Sequence, residues 1–246
     1  MSRSHFVFLT GAGMSAESGV PTFRDGLTGL WSRFDAETLA TPQAFRRDPA
    51  LVWGWYRWRA SQLLQVQPNA GHDGIAELAQ RGHRVNVVTQ NVDDLHERAG
   101  STKVVHLHGE LLRSRCIDCG ARAEPDPITL NLHPPEGGGH ETPPACTVCG
   151  GPFRPDVVWF GEALPEAEWE AGMEAIAACD RVVVVGTSGL VQPAASLPLV
   201  AREMGKPVLE INPNPSALTP SVDDYWPMTA SAGLARLLQE YPPHTS

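Results

Sequence analysis

Two patterns of apolar and polar positions alternate along this chain. Short apolar runs, FVFLT (6–10), RVNVVTQN (84–91), KVVHLHG (103–109), RVVVVGTS (181–188) and PVLEINPNP (207–215), take on polar residues mainly at their C-terminal ends. Strands buried on both faces of a parallel sheet read this way. Between them lie stretches with helical spacing: NAGHDGIAELAQRG, with Asn69 as N-cap and Gly82 near its end, PEAEWEAGMEAIAACD, Pro193 to Met204, and Ser231 to Glu240. Ser32 to Leu64, rich in tryptophan and helix formers, predicts helices covering one side of a site, and DVVWFGE (156–162) predicts a short extended segment. Strands alternating with helices predict an α/β fold, a Rossmann-like and mainly parallel sheet wound on both faces.

In such sheets ligands sit beyond the carboxyl ends of the strands. Gly11, Gln90-Asn91-Val92-Asp93, His106, His108, Gly186-Thr187-Ser188 and Asn212 fall there, so five segments are expected to converge on one crevice. The first run breaks into Gly11-Ala12-Gly13-x-x-Ala16, the G-x-G-x-x-A form of a dinucleotide-binding turn. Its glycines let the backbone approach a pyrophosphate, and amides at a following helix start are expected to bind the anion, the alternative for the motif alone being a Gly-rich strand-to-helix turn with no ligand. An ordinary dehydrogenase would show a second strand with an acidic end about 20 residues on. That distance lands in GLWSRFDAETLATPQAF, which has no strand pattern.

Arg113 to Arg154 differs in composition, being rich in Cys, Pro and Gly, and reads as an insert without a large core. Cys116-x-x-Cys119 and Cys146-x-x-Cys149 form two knuckles, each followed by a glycine that permits a tight turn. Four thiolates suit a closed, structural Zn²⁺ site, the alternatives being unliganded thiols or a redox pair. The 26 residues between the knuckles exceed ordinary ribbon spacing and predict a long, mobile Pro/Gly loop. Cys179 reads as a small buried residue. His108, placed at a strand end just before Gly109, suits proton transfer near neutral pH, though a lone histidine is more often structural. Asn91 and Asp93 suit a ribose, a water or an amide, or a cap for the helix that DDLHERAG begins.

The net charge of −9 argues against a binder of nucleic acid through a broad basic face. With no signal-peptide pattern and no apolar stretch of membrane-spanning length, the expected location is cytoplasmic, with no membrane partner. Paired cysteines fit that compartment as metal ligands better than as disulfides.

GAGMSAESGVPTFRD, TQNVD, HLHGE, the two CxxC pairs, VVWFGE, GTS and the INPN segment stand in this order over nearly the whole chain, which resembles the sirtuins, NAD-dependent protein-lysine deacylases. The resemblance implies one deacylase domain: a Rossmann-like lobe of 1–25, 70–112 and 155–246, a helical insert at 26–69 and a zinc-binding insert at 113–154. It implies His108 as general base, aided by Asn91. The cofactor loop would be Ala12 to Arg24, with Gly11, Ala12, Gly13, Ser15, Ala16, Glu17, Thr22, Phe23 and Arg24 touching NAD. Gln90, Asn91, Val92 and Asp93 would hold nicotinamide and its ribose; Gly186, Thr187, Ser188, Asn212, Pro213, Asn214 and Ala230 would line the adenosine half. Many relatives have an acidic residue where Pro213 stands, which leaves the second ribose contact in question.

Val158, Trp159, Phe160, Gly161 and Glu162 would pair with the substrate peptide as an added strand. NAD would be consumed: the acyl-lysine carbonyl oxygen attacks C1′ of the nicotinamide ribose and expels nicotinamide, a ribose hydroxyl deprotonated by His108 attacks the resulting imidate, and water completes the release of free lysine and O-acyl-ADP-ribose. Tyr56 and Arg59, three apart on one helix face, would grip a terminal carboxylate. Relatives of the mitochondrial desuccinylase type and their bacterial counterparts carry this pair, with a small residue matching Ala36 that widens the pocket. The expected substrates are therefore acetyl- and succinyl-lysine. ADP-ribosyl transfer to protein is the competing reaction, and a non-catalytic zinc-ribbon binding module the competing class.

Overall fold

The computed structural model describes residues 3–20 and 39–243, so Thr22, Phe23, Arg24 and Ala36 lie outside the described residues. The chain divides into two compact units, 3–20 with 67–107 and 165–243, and 39–66 with 108–164.

The first unit is a six-stranded sheet of β1 (His5–Thr10), β2 (Arg84–Thr89), β3 (Val104–His106), β6 (Arg181–Val185), β7 (Val208–Ile211) and β8 (Asp224–Trp226). Their order is β3-β2-β1-β6-β7-β8, and every neighbouring pair is parallel. This is the doubly wound dinucleotide-binding order, and its switch point falls between β1 and β6. All six residues of β1 are buried, and Phe8 stands in register with Val87 on one side and Val183 on the other. On one face Phe6, Phe8, Val185 and Ile211 pack with Ile75 and Leu78 of α3 (Ala70–Gln80) and Leu234 and Leu237 of α7 (Ala230–Glu240). The other face carries α5 (Glu166–Ala178) and α6 (Leu197–Glu203).

The expected helix at Pro193 to Met204 begins as a 3₁₀ turn and becomes α-helical only from Leu197. Strand β8 had no sequence signal, being three residues long with the polar start Asp224. Asn69 caps α3 as its position predicts: its Oδ1 accepts the Gly71 N–H at 2.9 Å.

The second unit holds α1 (Pro42–Arg47), α2 (Pro49–Leu63) and the antiparallel pair β4 (Gly109–Cys116) and β5 (Phe153–Val157). DVVWFGE is therefore extended only as far as Val157, as the end of a strand that begins inside the cysteine-rich stretch. Helix α2 starts where Asp48 accepts the Leu51 N–H at 3.0 Å and Pro49 fills the first turn. It buries Val52, Trp53, Trp55, Tyr56, Ala60 and Leu63, and also Arg57. Arg57 explains how the long stretch between the knuckles is held. Its guanidinium donates to the carbonyls of Pro127 and Leu130, each at 2.9 Å, and of Asn131 at 3.0 Å, and it pairs with Glu141 at 3.1 Å. The loop expected to be mobile is thus tied to α2, and the Gly137 to Gly139 run meets it too, since Gly54 and Gly138 leave no room for a Cβ between their backbones.

Candidate functional site

At the switch point the glycine turn is built by close backbone approach. Gly11 N donates to Val185 O at 3.0 Å and Gly13 N to Gly186 O at 2.8 Å, which joins the loops after β1 and β6. A Cβ on Gly13 would stand 2.7 Å from Gly186 Cα; one on Gly186, where φ is +62°, would collide with the Met14 amide. The chain does not then enter an α-helix, as the sequence led us to expect. Two 3₁₀ turns follow, Ala12–Met14 and Ala16–Ser18, in place of the expected helix N-terminus. Gly186→Ala is expected to lower Tm by about 5 °C or more and to abolish detectable ADP-ribose binding by calorimetry; unchanged values would show that the approach is dispensable.

Behind this turn lies a buried polar network whose proton positions follow from its partners. The Asn69 backbone N–H donates to His72 Nδ1 at 3.2 Å, so that nitrogen carries no hydrogen and His72 is the neutral Nε2–H tautomer. Nε2 faces Ser15 Oγ at 3.5 Å, and Asn91 Nδ2 donates to the same oxygen at 3.1 Å. Ser15 Oγ, facing two donors, donates its own hydrogen to Asp93 Oδ2 at 2.9 Å. Asp93 Oδ1 accepts the Leu95 N–H at 3.2 Å, so one carboxylate both orders the network and holds the first amide of α4 (Leu95–Arg98), whose N-cap residue is Asp94. Burial raises the Asp93 pKa above the ordinary carboxylate value. Burial also lowers His72 to about 4 and the neighbouring His96, 4.8 Å away between ring centres, well below its usual value.

A histidine with a depressed folded-state pKa contributes stability that is complete above its unfolded value and is lost as pH falls through the folded one. For His72 that window runs from 6.5 down to about 4, and the stake is on the order of 3 kcal/mol. Denaturation midpoints measured from pH 7 to 4 should fall less steeply for His72→Gln than for the parent. Parallel curves would refute the buried neutral histidine.

Around the crevice Gln90 Nε2 donates to Thr187 Oγ1 at 3.2 Å, and Asn212 Nδ2 to the Thr187 carbonyl at 2.9 Å. A cavity of about 10 Å³, room for one water, lies beside Gln90 and Thr187. Val92 is half-buried, Ser188 Oγ accepts the Leu190 N–H at 3.3 Å, and Pro213 and Asn214 are exposed on the loop after β7. Glu17 reaches the last helix, accepting the Ser231 N–H at 2.9 Å, and Ala230 is buried at the start of that helix. His106 has both ring nitrogens committed, to Asn91 O at 3.1 Å and Glu97 at 2.8 Å, which marks it as structural. His108 belongs to the second unit, where its carbonyl accepts the Val158 N–H at 2.8 Å.

In that unit the four knuckle cysteines lie with their sulfurs within 4.8 Å of one another. Cys116 to Cys149 measures 3.4 Å and Cys119 to Cys146 3.7 Å. Thiolates around one zinc at 2.3 Å would be about 3.8 Å apart, so the cluster fits a tetrahedral ion. The Val148 and Gly151 amides point at the Cys146 and Cys149 sulfurs, at 3.4 and 3.5 Å, and would stabilise their charge.

Tyr56 and Arg59 share a face of α2: the Arg59 guanidinium lies 4.9 Å from the Trp55 ring centre and 5.8 Å from that of Tyr56. Burial lowers the Arg59 pKa and pushes Tyr56 up to about 12, so the phenol keeps its proton. Of the extended segment, Val158 is half-buried, Trp159 buried, and Phe160 and Gly161 exposed. The Val158, Trp159, Phe160 and Glu162 amides already donate to His108 O, Glu162 Oε2, Ala40 O and Trp159 O. Among the N–H groups of the segment, that of Gly161 is the one such bonds leave to an added strand.

A parallel sheet in dinucleotide-binding order, a glycine turn at its switch point and a four-thiolate cluster in a second unit define a nucleotide-binding α/β protein with a structural metal centre. A Sir2 family model matches residues 11–193, and the chain belongs to the Sir2 family. It is 52% identical to NAD-dependent protein deacylase 2 of Pyrobaculum aerophilum, over 97% of this chain and 92% of that one. To NAD-dependent protein deacylase 1 of Pseudomonas aeruginosa it is 56% identical, over 85% and 83%. The crystal structure of a Sir2 homologue in complex with NAD superposes with a TM-score of 0.86 at 45% identity, covering 96% of this chain and 88% of that chain. Among the described residues no helix is long and apolar enough to cross a membrane.

Proposed function

We propose that this chain removes acyl groups from protein lysines with consumption of NAD, and that succinyl- as well as acetyl-lysine is a substrate. The observation that carries the reading is the Ser15–Asn91–Asp93–His72 network beneath a glycine turn in a Sir2 family chain. NAD, when bound, supplies a glycosidic carbon that loses nicotinamide to an incoming amide oxygen.

The chain's own groups do the rest. The turn after β1, kept free of Cβ atoms by Gly11 and Gly13, receives the pyrophosphate; Asn91 and Asp93 hold the nicotinamide ribose and the carboxamide, oriented by Ser15. His108 takes the proton from a ribose hydroxyl. Cys116, Cys119, Cys146 and Cys149 hold one structural zinc, and reduced thiols in that role suit a cytoplasmic location. Tyr56 and Arg59 receive the succinyl carboxylate through a phenolic O–H and a guanidinium.

Incubation of the protein with labelled NAD and acetyl-, succinyl- and unmodified lysine peptides tests the reaction. Release of O-acyl-ADP-ribose supports deacylation, whereas label retained on protein supports ADP-ribosyl transfer instead. Arg59→Met is expected to cut the succinyl kcat/KM about 100-fold, in keeping with the loss of a charge-assisted pair of about 3 kcal/mol. An intact succinyl rate would remove the pocket assignment.

A further inference from the structure

Among the described residues of the second unit the Tyr56 hydroxyl has one hydrogen-bond partner, and that partner fixes what the hydroxyl can do. Trp159 Nε1 lies 3.0 Å from Tyr56 Oη. An indole nitrogen only donates, so the phenol oxygen must accept, and its own hydrogen is directed elsewhere. Among the described residues no acceptor for that hydrogen is found. The tryptophan is itself held: the Arg154 guanidinium sits 3.4 Å from its ring centre, and Phe45 packs at 5.3 Å. Arg154 is anchored in turn by a bidentate pair with Glu162, whose Oε2 also accepts the Trp159 backbone N–H at 2.8 Å. Burial works against the charge of Glu162, but the bonds from Arg154 and from that backbone outweigh it, so its pKa falls and the anchor stays ionised.

We propose that Trp159 is a positioning residue for acyl selectivity: its indole N–H occupies the acceptor side of Tyr56 Oη, leaving the phenol's proton to be given to a carboxylate at the end of the acyl chain. This rests on the reading of Tyr56 and Arg59 as the acyl-end pocket and adds a residue outside that pair. Hydroxyls otherwise rotate to suit any neighbour; one whose lone pair is taken presents a donor and discriminates for an anion.

The test is the ratio of kcat/KM on succinyl and acetyl peptides, which cancels damage common to both. Trp159→Phe keeps an aromatic ring and removes the donor; the ratio should fall about tenfold, mainly through KM for the succinyl peptide. In a Tyr56→Phe background the same substitution should change the ratio less than twofold, since the hydroxyl it acts through is gone. Should Trp159→Phe fold poorly, replacement of Trp159 by 3-benzothienylalanine, which has the shape of tryptophan without the N–H, serves in its place. A fall of equal size in both backgrounds overturns the proposal, because the effect then bypasses Tyr56. No fall where Tyr56→Phe alone lowers the ratio overturns it while sparing the pocket. No response to Tyr56→Phe or Arg59→Met removes the pocket reading itself, and the role of Trp159 with it.

Discussion

His108→Ala should lower kcat/KM for deacylation by a factor of about 10² to 10⁴, the range contributed by a positioned general base. In free energy that is roughly 2.7–5.5 kcal/mol at the transition state. The neighbouring HxH histidine is excluded from the same work by its bonds to Asn91 O and Glu97, so the loss is assigned to one ring of the two. The fold should survive the change, because the bond in which the residue 108 carbonyl accepts the Val158 N–H does not depend on the imidazole. ADP-ribose affinity and Tm are therefore expected to stay near the parent values while peptide-dependent nicotinamide release collapses. Retained turnover would remove His108 from the mechanism, and retained ADP-ribose binding without turnover in the parent itself would favour the non-catalytic module.

The second large effect concerns the metal. Binding of structural zinc by four thiolates is worth about 10–16 kcal/mol in small domains, comparable with the entire stability of an ordinary protein of about 5–15 kcal/mol. Titration of the native protein with a mercurial should release one zinc per chain, and Cys119→Ser should abolish binding and unfold the knuckles. Loss of deacylase activity should follow. A protein that is purified without zinc, or that keeps its melting curve after the metal is stripped, would disprove the assignment.

How far the sequence reached can be judged from particular elements. Strands β1 and β6 were legible because they are almost wholly buried and read as apolar runs, and β2 and β7 because their apolar positions still dominate around Asn86 and Glu210. Strand β8 was not, because Asp224 and a half-buried Tyr225 lie on the sheet's edge, where burial imposes no pattern. Helix α2 announced itself by tryptophans but not by periodicity, since it is enclosed nearly all round. Of the crevice, the glycines, Ser15 and the Asn91-Val92-Asp93 run were visible as motifs, whereas His72 was not joined to them. His72 looks like an ordinary helix residue, and only three-dimensional proximity puts its Nε2 on Ser15. Arg57 was overlooked for a similar reason. Beside Arg59 it reads as one more surface cation, and its acceptors are carbonyls, which leave no trace in side-chain chemistry.

That arginine has an implication for engineering. Shortening the span between the two CxxC pairs to ribbon length would leave the four sulfurs free to chelate, yet it would strand a cation inside α2 with three acceptors deleted. A trimmed variant should therefore fail at the helix rather than at the ion, and a graft of the knuckles onto another scaffold would need a comparable spine to lean on.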